Sequence, residues 1–194
     1  MRRKNDSELG ELTGRCLAAC VAAGTLELSL DQLARRAKTS KRMLVHYYGS
    51  RESLEEQVLA LLEERLRAQF RADRFPPRAR LEHVVAALWE QSTAPEARGL
   101  LRVVMDATRR AWSGSERARK FYAGQQRLWE ELLAAYLPET AAVEELLQLF
   151  QGAILVFLAT GDREQGGRVL ARFARRDFAQ MKPSARPRAK HRRV

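Results

Sequence analysis

Between Ser29 and Arg51 the chain gathers residues that could hold an anion: Arg35, Arg36, Lys38, Lys41, Arg42 and Arg51 stand against Asp31 alone, a local charge of +5. Interleaved with them are Thr39, Ser40, His46, Tyr47 and Tyr48. Guanidinium and ammonium groups neutralise phosphates and read guanine edges, while hydroxyls and helix starts suit phosphates. The chemistry on offer is non-covalent recognition of an anionic polymer or an acidic membrane surface, and a small acidic substrate fits it less well. Covalent chemistry has no comparable set. The three histidines, His46, His83 and His191, lie far apart, and no zinc-protease, phosphate-loop, dinucleotide or nucleophile-elbow motif occurs. Cys16 and Cys20 are the only cysteines. They exclude a disulfide framework, make half a metal site at most, and suit a reducing cytoplasm as small buried hydrophobes. No cofactor is implied.

The net charge of +11 over 194 residues is uneven, at +3 in 1–75, +2 in 76–180 and +6 in 181–194. Met1-Arg2-Arg3-Lys4 is followed by polar residues, so no secretory signal is expected at the start. The longest uncharged run, Leu146 to Gly161, is 16 residues, short of the roughly 20 needed to cross a bilayer. It reads as a buried helix, with no membrane partner.

The elements that must position these residues are all helical, since apolar residues recur at helical spacing between Pro and Gly breaks and nothing alternates as a strand. A first helix is expected over Glu8 to Ala23, with Leu9, Leu12, Cys16, Ala19 and Cys20 inward. Ser29 with Gln32 forms a capping box for a helix to about Ala37. Thr39-Ser40 caps a short helix, Lys41 to Tyr48, whose Leu44 and Tyr48 face inward. Ser50 caps a long helix to Ala72 with Leu54, Val58, Leu61, Leu62 and Leu66 inward and Glu55, Glu56, Glu63, Glu64, Arg65 and Arg67 in water. Further helices are expected near 78–92, 95–112, 115–137, 139–160 and 162–181, the last two antiparallel.

Two short helices joined by a tight turn have the proportions of a helix-turn-helix, whose second helix can enter a major groove. Lys41, Arg42, His46 and Tyr47 are expected to face DNA, with Ser29, Thr39, Ser40 and Arg51 on phosphates and Lys38, Met43 and Val45 within reach. For Arg35 and Arg36 a solvated face is as good a reading as DNA contact.

Ser29-Leu-Asp-Gln-Leu-Ala-Arg-Arg-Ala37, Thr39-Ser40, Leu44 and Tyr47-Tyr-Gly-Ser-Arg-Glu-Ser-Leu54 together resemble the N-terminal domain of the TetR family of transcriptional regulators, over about Leu9 to Leu62. The resemblance implies an all-α homodimer with a helix-turn-helix domain at 1–50, continuing into a connecting helix at 51–72, and a helical effector-binding and dimerisation domain at 73–182. It implies a repressor that leaves an inverted-repeat operator when a small molecule occupies the C-terminal half. Lys38 stands where the family commonly has Gly in the turn, so that residue must go left-handed or the turn must change. Where many members carry Tyr, His and Phe in the recognition helix, this chain has Val45, Tyr47 and Tyr48, with His46 one position early. Arg51 replaces the usual Lys.

Trp89, Met105, Trp112, Phe121, Tyr122, Gln125 and Trp129 are the candidate pocket for a hydrophobic or aromatic effector, with core packing as the competing role. Leu146, Leu149, Phe150, Ile154, Phe157 and Leu158, then Leu170, Phe173 and Phe178, are the candidate dimer face. The basic tail, 183–194, is expected to be unstructured, either as a solubility feature or as a sequence-independent DNA contact. Rival classes are an enzyme built from scattered residues and a helical adaptor that has lost DNA binding. Steep weakening of DNA binding with salt separates a regulator from both.

Overall fold

The computed structural model describes residues 2–69 and 79–176. Among the described residues there is no strand. The helices are α1 (Arg2–Ala23), α2 (Leu30–Arg36), α3 (Lys41–Tyr48), α4 (Arg51–Gln69), α5 (Leu81–Thr93), a 3₁₀ turn (Pro95–Ala97), α6 (Arg98–Trp112), α7 (Glu116–Leu133), α8 (Thr140–Thr160) and α9 (Arg163–Ala174). The expected break between connecting helix and C-terminal half, Phe178, and the tail all lie outside the described residues.

Local chemistry sets the ends of the N-terminal helices. The Ser29 hydroxyl accepts the Gln32 backbone N–H at 3.2 Å while the Gln32 side-chain Oε1 accepts the Ser29 N–H at 2.8 Å, a reciprocal cap. Lys38 takes the left-handed conformation, φ 52°, and Thr39 N–H then reaches back to the Ala34 carbonyl at 2.9 Å. The turn is therefore kept without glycine, at a cost of roughly 1 kcal/mol. Ser40 caps α3 through the Met43 N–H at 3.2 Å, and Gly49, φ 73°, closes it.

Leu12, Cys16, Ala19 and Cys20 of α1 meet Leu33 and Ala34 of α2, Leu44 and Tyr48 of α3, and Leu54, Val58, Leu62 and Leu66 of α4 in one buried core. Each large apolar side chain here is worth roughly 1.5–3 kcal/mol of burial. Cys16 and Cys20 are free and buried, and burial pushes both thiols up, Cys20 to about 11, which favours the unreactive thiol form. The Tyr48 hydroxyl lies 2.8 Å from Thr13 Oγ1, which itself donates to the Leu9 carbonyl, so Tyr48 is the donor between them.

The C-terminal helices pack around Val84, Leu88, Trp89, Val103, Phe121, Leu128, Leu132, Leu146 and Phe173. Gly161, φ 78°, ends α8, Asp162 caps α9, and α9 packs back on α8. The 21-residue α8 is long and apolar enough to cross a membrane by length and composition, with a mean hydropathy of 1.6. Here it buries Ala142, Val143, Leu146, Leu147, Ala153 and Ile154 within the bundle. Its expected burial is one-sided, because Gly152, Leu155 and Ala159 face out, Leu155 at 60% exposure.

Candidate nucleic-acid interface

With Leu44 and Tyr48 buried, α3 turns the rest of its surface outward: Lys41, Arg42, Met43, Val45 and His46 are all exposed. Val45 and Met43 are among the few large apolar side chains left in water. Lys41 Nζ sits 3.0 Å from Asp31 Oδ2 on α2, an exposed pair that costs little to open. Lys38 is exposed at the turn, Thr39 half-buried, and the Ser29 and Ser40 hydroxyls are occupied as caps while still able to donate outward. Tyr47 is turned toward α1, half-buried, with its hydroxyl donating to Glu8 at 3.2 Å. Arg35 and Arg36 are exposed on α2.

Arg51 departs from the expected phosphate role. Its guanidinium points inward, donating to the carbonyls of Leu28 at 3.1 Å and of Leu26, with Glu55 at 3.5 Å. The loop between α1 and α2 presents those carbonyls unpaired, and a rigid fork of donors satisfies them. Glu55, expected in water, is 6% exposed and accepts from Arg110 of α6 at 2.8 Å. A second acid acts on the same loop from α6. Asp106 accepts the Leu26 N–H at 2.8 Å and the Thr25 hydroxyl at 3.0 Å, and Arg109 bridges Asp106 to Glu27. Burial pushes the Asp106 carboxyl up, but the Leu26 N–H, Arg109 and Thr25 outweigh it, so it is held below its ordinary value. The loop that sets where α2 and α3 begin is thus clamped between α4 and α6. A cavity of about 440 Å³ lies at this junction, lined by Glu27, Arg51, Glu55, Arg109, Arg110 and Arg117 among others.

Sequence reasoning missed Glu55, Asp106 and Glu8. Only the Arg51 to Glu55 spacing of four offered a signal.

In the C-terminal half the expected pocket residues scatter. Trp112 is 79% exposed at the end of α6 and lines no interior space. Trp89 is buried, donates its indole N–H to the Arg163 carbonyl at 3.1 Å, and lies against Gly166. Its ring meets Phe150 and Phe157 edge-on, at 5.7 and 6.1 Å, and Trp129 stacks on Phe150 at 6.2 Å. Two expected pocket residues and two expected dimer residues therefore pack on one another inside a single protomer. Met105 and Tyr122 are half-buried, and Phe121 is buried. Gln125 is buried with its Nε2 unpaired among the described residues. Of the expected dimer face, Leu146, Ile154, Leu170 and Phe173 are interior, because α8 and α9 bury them against their own bundle, while Leu149 and Leu158 are half-buried. Among the described residues no group of three or more His, Cys, Asp or Glu could hold a metal.

No family model matches the chain, and no curated protein matches it. Solved structures do. A TetR transcription regulator from Haloarcula marismortui superposes with a TM-score of 0.69 over 87% of this chain and 97% of its own, at 16% identity. A protein assigned to the TetR family of transcriptional regulators from Mesorhizobium loti gives 0.64 over 88% and 94%, at 14% identity. With identity this low the likeness is one of architecture: the chain has the all-α TetR fold, an N-terminal helix-turn-helix head joined to a C-terminal helical half.

Proposed function

We propose that this chain is a TetR-like transcriptional regulator that reads double-stranded DNA with α3. The carrying observation is α3 itself, anchored by Leu44 and Tyr48 and presenting Lys41, Arg42, Val45 and His46 to solvent beyond a properly closed turn. Arg42 is suited to a guanine edge and Val45 to a thymine methyl, while Ser29, Lys38, Thr39 and Ser40 sit where backbone phosphates would run. Lys38 and Val45, which depart from the family pattern, are the residues that would favour the adaptor alternative. Lys38 adopts the left-handed conformation and the turn still closes, which weakens that alternative.

The molecule acts as a homodimer on an inverted repeat, its two α3 helices about 34–36 Å apart. The supporting surface is the outer face of α8 and α9, Gly152, Leu155, Ala159 and Val169, apolar and exposed among the described residues. The chain is a repressor that leaves its operator when a small, largely apolar molecule occupies the C-terminal half. Gln125, with a buried amide nitrogen beside Phe121, is the group best suited to hold one polar atom of it. The Asp106 and Glu55 clamps would carry the response from α6 to the head.

Selection of a duplex from a random-sequence pool, followed by titration of the selected and a scrambled duplex at several salt concentrations, tests the reading. Preference for the selected duplex, an inverted repeat in its sequence and a steep salt slope are expected. Arg42→Ala should cost about 1–3 kcal/mol on the selected duplex and less on the scrambled one. Absence of any duplex binding by the intact protein would overturn it.

A further inference from the structure

Tyr47 differs from the other residues at the α3 surface because its hydroxyl is already in use. It donates to Glu8 on α1 at 3.2 Å, and its ring is set by an edge contact with His46, centroids 5.3 Å apart. An ionised carboxylate only accepts, so the phenol proton lies on this bond and the phenol oxygen keeps its lone pairs for a second partner. The cleft that Tyr47 lines, about 200 Å³ between α1 and α3, is also walled by Glu8, Glu11, Leu12, Arg15, Thr39 and Met43. Two carboxylates against one guanidinium leave it net negative. A phosphate finds a like charge there and no phenol proton to accept. The one amino proton that base pairing leaves free on adenine or cytosine in the major groove finds an acceptor in the phenol oxygen, with the second carboxylate oxygen beside it.

We infer that Tyr47 and Glu8 form a paired acceptor that selects an amino-bearing base in the major groove and turns phosphate away. Glu8, on a helix outside the helix-turn-helix, is thereby a specificity-determining residue that fixes the Tyr47 proton and sets its free carboxylate oxygen beside the phenol oxygen. This rests on the reading of α3 as the DNA-reading helix. Glu8→Gln releases the phenol proton and replaces the charge with an amide that can itself donate to phosphate. Tyr47→Phe removes the acceptor and keeps the ring.

The test uses the full chain, a duplex selected from a random-sequence pool and a scrambled duplex, with wild type, E8Q, Y47F and the double variant compared at one salt concentration. Y47F should weaken the selected duplex by about five-fold and leave the scrambled one unchanged. E8Q should tighten the scrambled duplex and reduce the preference between the two. In the E8Q background, adding Y47F should no longer weaken the selected duplex, since the two residues act as one unit. Equal weakening of both duplexes by Y47F would make Tyr47 a phosphate contact and overturn the inference, as would E8Q and Y47F effects that simply multiply. Binding of neither duplex by the wild-type chain would instead overturn the DNA-reading role of α3 on which it stands.

Discussion

The α2–α3 pair and the loop that leads into it are held by opposite kinds of force. α2 and α3 are shaped by neighbours in sequence: the Ser29–Gln32 reciprocal cap, the Ser40 cap and the Leu44–Tyr48 pair four residues apart. The Gly24–Leu28 loop is held by groups far away, Asp106 some 80 residues on, and Arg51 with Glu55 from α4. Short-range rules thus decide what the head looks like, and long-range polar contacts decide at what angle it is carried. A protein built this way can keep its α3 surface intact while its orientation is adjusted, because the two depend on different bonds.

That contrast can be broken at either end. The largest loss is expected from Leu44→Ala, which empties a fully buried site and should cost about 2–5 kcal/mol in urea unfolding, removing the α3 anchor and DNA binding with it. Glu55→Ala comes next. It leaves Arg51 and Arg110 without their shared buried partner, and a loss of about 2 kcal/mol is expected, reduced from a fully buried case because both guanidiniums keep some solvent. If the division of labour holds, E55A should lower operator affinity without changing the selected sequence.

Asp106→Asn should cost about 1–2 kcal/mol at neutral pH. Its sign with pH follows from a carboxyl held below the ordinary 3.8: its contribution is complete above that value and disappears as pH falls through the lower folded-state value. The stability difference between wild type and D106N should therefore stay constant above pH 3.8 and shrink as the pH is taken below it. Parallel curves down to the acid limit would remove Asp106 from the clamp. Ser29→Ala should cost about 1 kcal/mol through the lost cap and act on α2 alone. The smallest effect belongs to Lys38→Gly, where relief of the left-handed strain is partly offset by a freer unfolded chain, leaving a gain of about 0.5 kcal/mol. If Lys38 touches a phosphate, the same variant should flatten the log–log salt dependence by about 0.9.

The two regions also differed in how far residues alone could reveal them. The ends of α2 and α3 and the inward pair Leu44 and Tyr48 follow from capping chemistry and a 3.6-residue period, and these are properties of a few adjacent side chains. The α8 helix defeated the same method. It is apolar around most of its circumference, so periodicity could not separate Leu146 and Ile154, which face their own bundle, from Leu155, which faces out. Trp89, Trp129, Phe150 and Phe157 were divided between a pocket and an interface, yet they touch one another across three helices, a relation no spacing encodes. Glu55 and Asp106 were missed because a charged residue reads as solvated unless its partners are known, and the contacts that tie them to another element, Arg110 for Glu55 and Leu26 for Asp106, lie 55 and 80 positions away.

At Gly99, where α6 crosses the end of α1, a methyl group in place of hydrogen would come within 2.6 Å of the Val21 carbonyl oxygen. Backbone rests on backbone there, with no flexible side chain between to absorb a change in spacing. The position therefore works as a gauge. Among relatives that carry the head at the same tilt, glycine is the only residue expected at this site, and any lineage with alanine or larger there should prove, when its structure is solved, to have swung the head away from α6.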